Sequence, residues 1–343
     1  MRAYITVDVE CSLPGLRTGG KLCTDGELRP VGTRERVYGD FSGKQLGVPL
    51  IMDMLDAHGF QGTFFCDSCM RYLVGEDDAR QVLRAIAGRG HDVQLHIHPL
   101  SRLWATRDTE SHIPLDQWSD DIGALPISLQ DKLIKEGRHF VHDSTGHMPT
   151  VFRAGNYGAS NETLDLLAAN GFLADSSYNL WTLGKAGYTM RIVTPAPINV
   201  PFRHHGVMEF PVTCFRALEG YASGYRFFAP EGASYREMHA ALQRLAAAGV
   251  QDVVVVLHSF SFIKSNDPHY RSARLNWVAY ERFRRLLQLL ASRPDDYEVV
   301  SLGEYMKRRD VPPLVTASAR HIVSVPAWTM GLRLAGQVAQ RLI

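Results

Sequence analysis

The sequence has almost no excess of charge: 37 lysines and arginines face 36 aspartates and glutamates over 343 residues, a formal net charge of +1. It contains no basic block of the length that a nucleic-acid-binding tail requires, so nucleic acid is not an expected partner. Cysteine is sparse and odd in number, five residues at positions 11, 23, 66, 69 and 214. That is not the disulfide framework of a secreted domain. No window offers the roughly eighteen uninterrupted apolar residues of a membrane-spanning helix. The start, "MRAYITVDVE", carries Asp8 and Glu10 where a secretory leader needs an apolar stretch and a small-residue cleavage site. The cytoplasm is the expected compartment. Internal repeats and low-complexity segments are also missing.

What the chain does have is alternation. Short β-rich runs occur at 3–8, 62–66, 91–97, 150–154, 171–176, 207–212, 252–258 and 297–302. Between them lie stretches with apolar residues three and four apart, at 46–59, 79–90, 160–171, 234–249 and 277–292. Several of these end at glycine, and "SNET" at 160–163 reads as a capping sequence. Runs such as "VVVVL", apolar on both faces, point to a parallel sheet covered by helices. Six to eight such units fit an α/β barrel better than an open sheet. Two long connections, 11–45 and 99–127, are expected to build the mouth of that barrel. Residues 1–310 then form the barrel, and 311–343, introduced by Pro312 and Pro313, a C-terminal extension.

Reactive residues gather at the ends of the predicted strands: Asp8 and Glu10, His96 and His98, Arg153, Asp175, and His258. In a parallel barrel these ends share one rim. Residues i and i+2 of a strand share a face, so Asp8 with Glu10, and His96 with His98, can point inward together. One carboxylate and two imidazoles make a common catalytic set for a divalent metal. The other carboxylate can then serve as base toward metal-bound water, and His258 as general acid. Taken alone, the pair in "VQLHIHPL" could equally be structural imidazoles; its company favours ligands.

The order of "TVDVE", "GTFF", "GHDVQLHIH", "FRAGNYG", "DSSY" and "LHSF" resembles the polysaccharide deacetylase family, the NodB-homology group of carbohydrate esterase family 4. The resemblance runs over roughly residues 1–305. It implies a distorted (β/α) barrel and one divalent ion, most often zinc. The implied activity is removal of N- or O-acyl groups, usually acetyl, from amino sugars and their polymers. Carried over, Asp8 is the catalytic base and Glu10 stands in for the metal-binding aspartate. His96 is the first histidine ligand, Arg153 orients the base, and the backbone N–H of Asn156 or Tyr157 helps hold the oxyanion. His258 is the general acid and Asp175 the acid that tunes it. The chain departs from the pattern in three places. The usual adjacent aspartate pair is spread to Asp-Val-Glu. The position four beyond His96 is Leu100, which leaves His98 as the second ligand. The arginine motif is one residue longer than usual and lacks its proline.

The expected function is therefore a metal-dependent hydrolase acting on an N-acetyl or N-formyl amino sugar or a nucleotide- or lipid-linked glycan intermediate. A cyclic-amide hydrolase and a non-catalytic glycan-binding descendant are the alternatives. Trp104, Trp118 and Trp181 fall in predicted rim loops and could stack on sugars or simply pack there. Cys66 and Cys69 read as buried thiols and His204 and His205 as loop residues. The tail 325–343 can be drawn as an amphipathic helix, packing on the barrel, on a second subunit, or peripherally on the inner face of the membrane. Oligomeric state is not legible.

Overall fold

The structure, a computed structural model, describes all residues except 18–20, 23–27, 109–113, 184–187, 189, 217–223, 309–320, 327–328 and 330–343. Its centre is a nine-stranded sheet. The strands are β1 (Arg2–Val9), β2 (Thr63–Asp67), β3 (Asp92–Ile97), β4 (Val151–Ala154), β5 (Ala174–Asp175), β6 (Phe202–His204), β7 (Val207–Glu209), β8 (Asp252–His258) and β9 (Glu298–Val299). The order is β6-β7-β5-β4-β3-β2-β1-β8, with β9 also beside β1. All eight β-rich runs of the sequence lie in this sheet. The short β6, which the sequence pattern did not single out, pairs antiparallel with β7, and every other pairing is parallel.

Alternation along the strands sorts side chains into two layers. On β1, Ala3, Ile5, Val7 and Val9 join the large core beneath the helices, whereas Tyr4 belongs to a second cluster. On β8 the same split separates Val253, Val255 and Leu257 from Val254 and Val256. The second cluster, with Phe65, Val151, Met208 and Phe210, fills the inside of a curled sheet. The outer layer is covered by α1 (Val48–Asp56), α2 (Glu76–Gly88), α3 (Pro99–Ala105), α4 (Ile127–Thr145), α5 (Asn161–Ala169), α6 (Tyr235–Ala247) and α7 (Trp277–Ala291), whereas α8 (Leu302–Lys307) packs Leu302 and Tyr305 into the second cluster. Ser160 and Ser234 each close a capping box at their helix starts. Such a cap is worth about 1 kcal/mol.

Curling is demanded by one contact. In a flat sheet with strands about 4.8 Å apart, β1 and β4 would be separated by about 14 Å. Yet Arg153 on β4 places Nη1 2.7 Å from Asp8 Oδ1 and 2.9 Å from Thr6 Oγ1, both on β1. Its guanidinium lies over the inward-facing Phe65 ring, 4.3 Å from the centroid. The far side is closed irregularly: past β7, Thr213 and Phe228 meet β8 through Val254 N–H to Thr213 Oγ1 and Val256 N–H to Phe228 O. The result is a distorted (β/α) barrel, as expected.

Of the C-terminal extension, residues 321–326 lie against the barrel. Asn199 Nδ2 donates to His321 O, Arg216 N–H donates to Val323 O, and Val325 is buried. Trp328 and most of the amphipathic tail fall outside the described residues. No described helix is long and apolar enough to cross a membrane.

Candidate active site

The strand register lines up the polar ends. Asp8 pairs with His258, Asp67 with His96, and His96 with Arg153. Asp8, His96 and Arg153 share the inner face, and Glu10 follows one residue beyond the end of β1. Glu10, His96 and His98 each offer a donor atom within 4.8 Å of the others. Glu10 Oε2 is 2.5 Å from His98 Nε2 and 3.8 Å from His96 Nε2.

The opposite ring nitrogens show that this donor set suits a divalent ion. His96 Nδ1 is 2.7 Å from Arg153 O, and His98 Nδ1 is 2.7 Å from Asp120 Oδ2. An imidazole that donates from Nδ1 to an acceptor can offer its Nε2 lone pair to a cation once that nitrogen gives up its proton, and both Nε2 atoms face Glu10 here. Burial opposes charge on Glu10, but His98, His96 and Arg36 hold its carboxyl well below the usual range. For His98 burial again opposes charge, yet Asp120 and Glu10 raise the imidazole well above its ordinary value.

Asp8 and Arg153 form a pair that is almost wholly buried, at 3% and 0% exposure. The remaining guanidinium donors are satisfied by Ser176: Nε to its carbonyl at 3.0 Å and Nη2 to its hydroxyl at 2.9 Å. Across the strand pair stands His258. Its backbone N–H donates to Ser261 Oγ at 2.7 Å, and its Nδ1 lies 3.7 Å from Glu231 Oε1. Ser261 also donates to Glu231, and Arg282 Nη1 holds the Pro230 carbonyl at 3.0 Å. Burial lowers the His258 pKa, but Glu231 and then Asp8 and Glu10 raise it, with a net shift upward.

Asn156 and Tyr157 have φ of 53° and 60°, two successive left-handed residues that turn the chain sharply after β4. Gly155 precedes them because a Cβ there would lie 2.6 Å from His98 Nδ1 and 2.7 Å from Ile97 O. Asn156 Nδ2 donates to Asp120 Oδ2. An open cleft of about 560 Å³ lies beside the donor set, with Glu10, Arg36, His98, Asp120, Asn156 and Tyr270 among its lining.

Other expected residues are placed elsewhere. Asp175 pairs in register with Phe152, on the face opposite Arg153, and accepts from Ser177 N–H at 2.9 Å and Ser177 Oγ at 2.8 Å. The carboxylate beside the His258 imidazole is Glu231. Trp118 is buried, at 2% exposure, so it is a core residue and not a rim platform. Trp104 and Trp181 are half-buried; Arg107 covers the ring of Trp104, and Tyr188 and Phe227 pack edge-on against Trp181. Neither is among the described residues lining the cleft. Cys66 and Cys69 are buried free thiols. His204 and His205 contact Asn161 and Asp165 at the sheet edge. Sequence reasoning missed Glu231, Asp120, Arg36 and Asp67. Only Asp67 carried a signal, as a carboxylate ending the "TFFCD" strand. It accepts from His98 N–H at 3.0 Å, and burial lifts its pKa to about 6 against the lowering pull of His98 and His96.

No family model matches the sequence, and no curated protein matches it. Among solved structures, the fold is similar to that of Puue allantoinase, with TM-score 0.52 and 13% identity over 92% of this chain and 92% of that one. A protein from Mycobacterium smegmatis assigned as a polysaccharide deacetylase gives TM-score 0.49 and 17% identity, over 82% of this chain and 80% of that one. A family 4 acetyl xylan esterase from Clostridium thermocellum, in complex with a cobalt ion, gives 0.38 and 14% over 95% and 98%. The likeness across most of both chains is one of fold, a distorted (β/α) barrel.

Proposed function

We propose that the chain is a divergent polysaccharide deacetylase, a metal-dependent hydrolase that removes an acetyl or formyl group from the nitrogen of an amino sugar or glycan intermediate. The observation that carries this reading is the convergence of Glu10, His96 and His98, each imidazole tied at Nδ1, beside the buried Asp8–Arg153 pair. A divalent cation held by those three residues, zinc by preference, would polarise the acyl carbonyl and acidify a water molecule.

The chain's own residues supply the proton transfers. Asp8, held by Arg153, takes the proton of the attacking water. His258 stands on the neighbouring strand, and its raised pKa favours the protonated form that a general acid needs. It gives its proton to the departing amine. The left-handed turn at Asn156 and Tyr157 offers backbone N–H groups for the oxyanion.

The test is amine release from N-acetyl and N-formyl sugar nucleotides and lipid-linked glycans by zinc-loaded protein. Release is expected, with D8N and H258A each reducing kcat by about 10²–10⁴-fold. No release with any divalent metal would count against the reading.

A second reading is favoured by the fold likeness to an allantoinase across 92% of both chains. The same acid, base and metal set could open a cyclic amide. Ring opening of hydantoin-type substrates without deacylation of amino sugars would select it.

A further inference from the structure

Glu10 has one more rotor than an aspartate would have, and each additional rotor makes a ligand costlier to hold in one place. Arg36 answers that difficulty. It sits on the helical turn Thr33–Tyr38, within the long connection after β1. The connection is pinned where Ser12 and Val31 exchange backbone hydrogen bonds, and again where Gly47 N–H donates to Tyr38 O at 3.0 Å. At Gly47 a Cβ would fall 2.0 Å from Val37 O, so only glycine lets the chain close this tightly. Val37 is fully buried. The turn therefore has little freedom to carry Arg36 elsewhere.

The guanidinium is held on two sides. Its Cζ lies 3.7 Å from the centroid of Phe260, two residues beyond His258, and its Nη2 is 2.6 Å from Glu10 Oε1. Glu10 Oε1 is thus committed to Arg36, while Oε2 is the oxygen facing both imidazoles. We propose that Arg36 is a positioning residue that fixes Glu10 so that one carboxylate oxygen serves the metal centre. This rests on the reading that Glu10, His96 and His98 bind a divalent ion. The flat guanidinium stacked on Phe260 makes the role one for arginine; a lysine keeps the charge but not that stack.

The experiment measures the zinc dissociation constant by competition with a chromophoric chelator. It also records the cobalt(II) absorption spectrum and the thermal midpoint of each metal-free protein. R36M is expected to weaken zinc binding by about 10–100-fold, the usual cost of losing a residue that orients a ligand. R36K should recover only part of that loss, and it keeps the comparison available should R36M fail to fold. The cobalt spectrum should change in both, with metal-free midpoints near wild type. Combined with E10A, R36M should cause no further loss, because Arg36 acts through Glu10. Wild-type affinity and spectrum in R36M, or an equal additional loss in the E10A background, would overturn the proposal alone. A wild-type protein that takes up neither ion would overturn it together with the metal reading.

Discussion

At the scale of single residues, His258 and the Glu231 carboxylate beside it govern proton delivery in the proposed reaction. Burial lowers the imidazole's pKa, and Glu231 is the strongest of the groups that raise it above its ordinary value. A general acid must carry its proton, so activity should fall as pH rises through the His258 pKa. Replacing Glu231 by Gln removes the main raising partner, and the alkaline limb of the kcat/KM profile should move to lower pH. An unmoved limb in E231Q would show that Glu231 does not tune the acid. Asp8, Glu10, His96, Arg153 and His258 were legible because each sits at or just past the end of an apolar strand, where period and topology together assign a face. Glu231, Asp120 and Arg36 were not. They lie in loops, and only the tertiary path of those loops brings Glu231 to Ser261, Asp120 to His98 and Arg36 to Phe260. Asp175, which the resemblance assigns to tuning His258, lies in register with Phe152 on the face opposite Arg153, and the carboxylate beside the imidazole is Glu231.

Among the elements, the pairing of β5 with β7 carries an unusual feature. Asp175 and Glu209 are directly opposite in register and both fully buried. Tyr178 N–H donates to Glu209 Oε1 at 3.0 Å. Burial and then the facing Asp175 push the Glu209 carboxyl well above its usual range. The sign follows: a group whose folded pKa exceeds its unfolded one contributes fully below the unfolded value, and that contribution is lost as pH rises through the folded value. From about pH 4.3 upward, the ordinary glutamate value, Glu209 should therefore cost up to about 1.4 kcal/mol per pH unit until it ionises. Urea unfolding of E209Q should lack this component, so its stability should gain on wild type as pH rises. Parallel pH profiles for the two proteins would contradict it. The eight parallel or lumen-lining runs were readable because β-branched stretches stand out against helical spacing. Strand β6 was not, since three residues ending in His204 carry no period. In helix α4 Gly137 interrupts the apolar spacing, and a Cβ there would press on Leu95 and Ser68.

For the whole molecule, the curl of the sheet makes a site from a row of strand ends. It brings β4 across to β1, so that Arg153 reaches Asp8, and it leaves the mouth to the two long connections that supply Arg36 and Asp120. The sequence pattern identified both connections as site builders, from their length and their place after strands. It could not say which of their residues would reach the centre. The central claim is that Glu10, His96 and His98 hold one divalent ion. Its most direct test is the metal content of the purified chain, by elemental analysis after zinc loading and gel filtration. Near-stoichiometric zinc is expected in wild type, and its loss on His96→Ala. Wild-type protein that stays metal-free, or His96→Ala protein that retains a full complement of zinc, would contradict it.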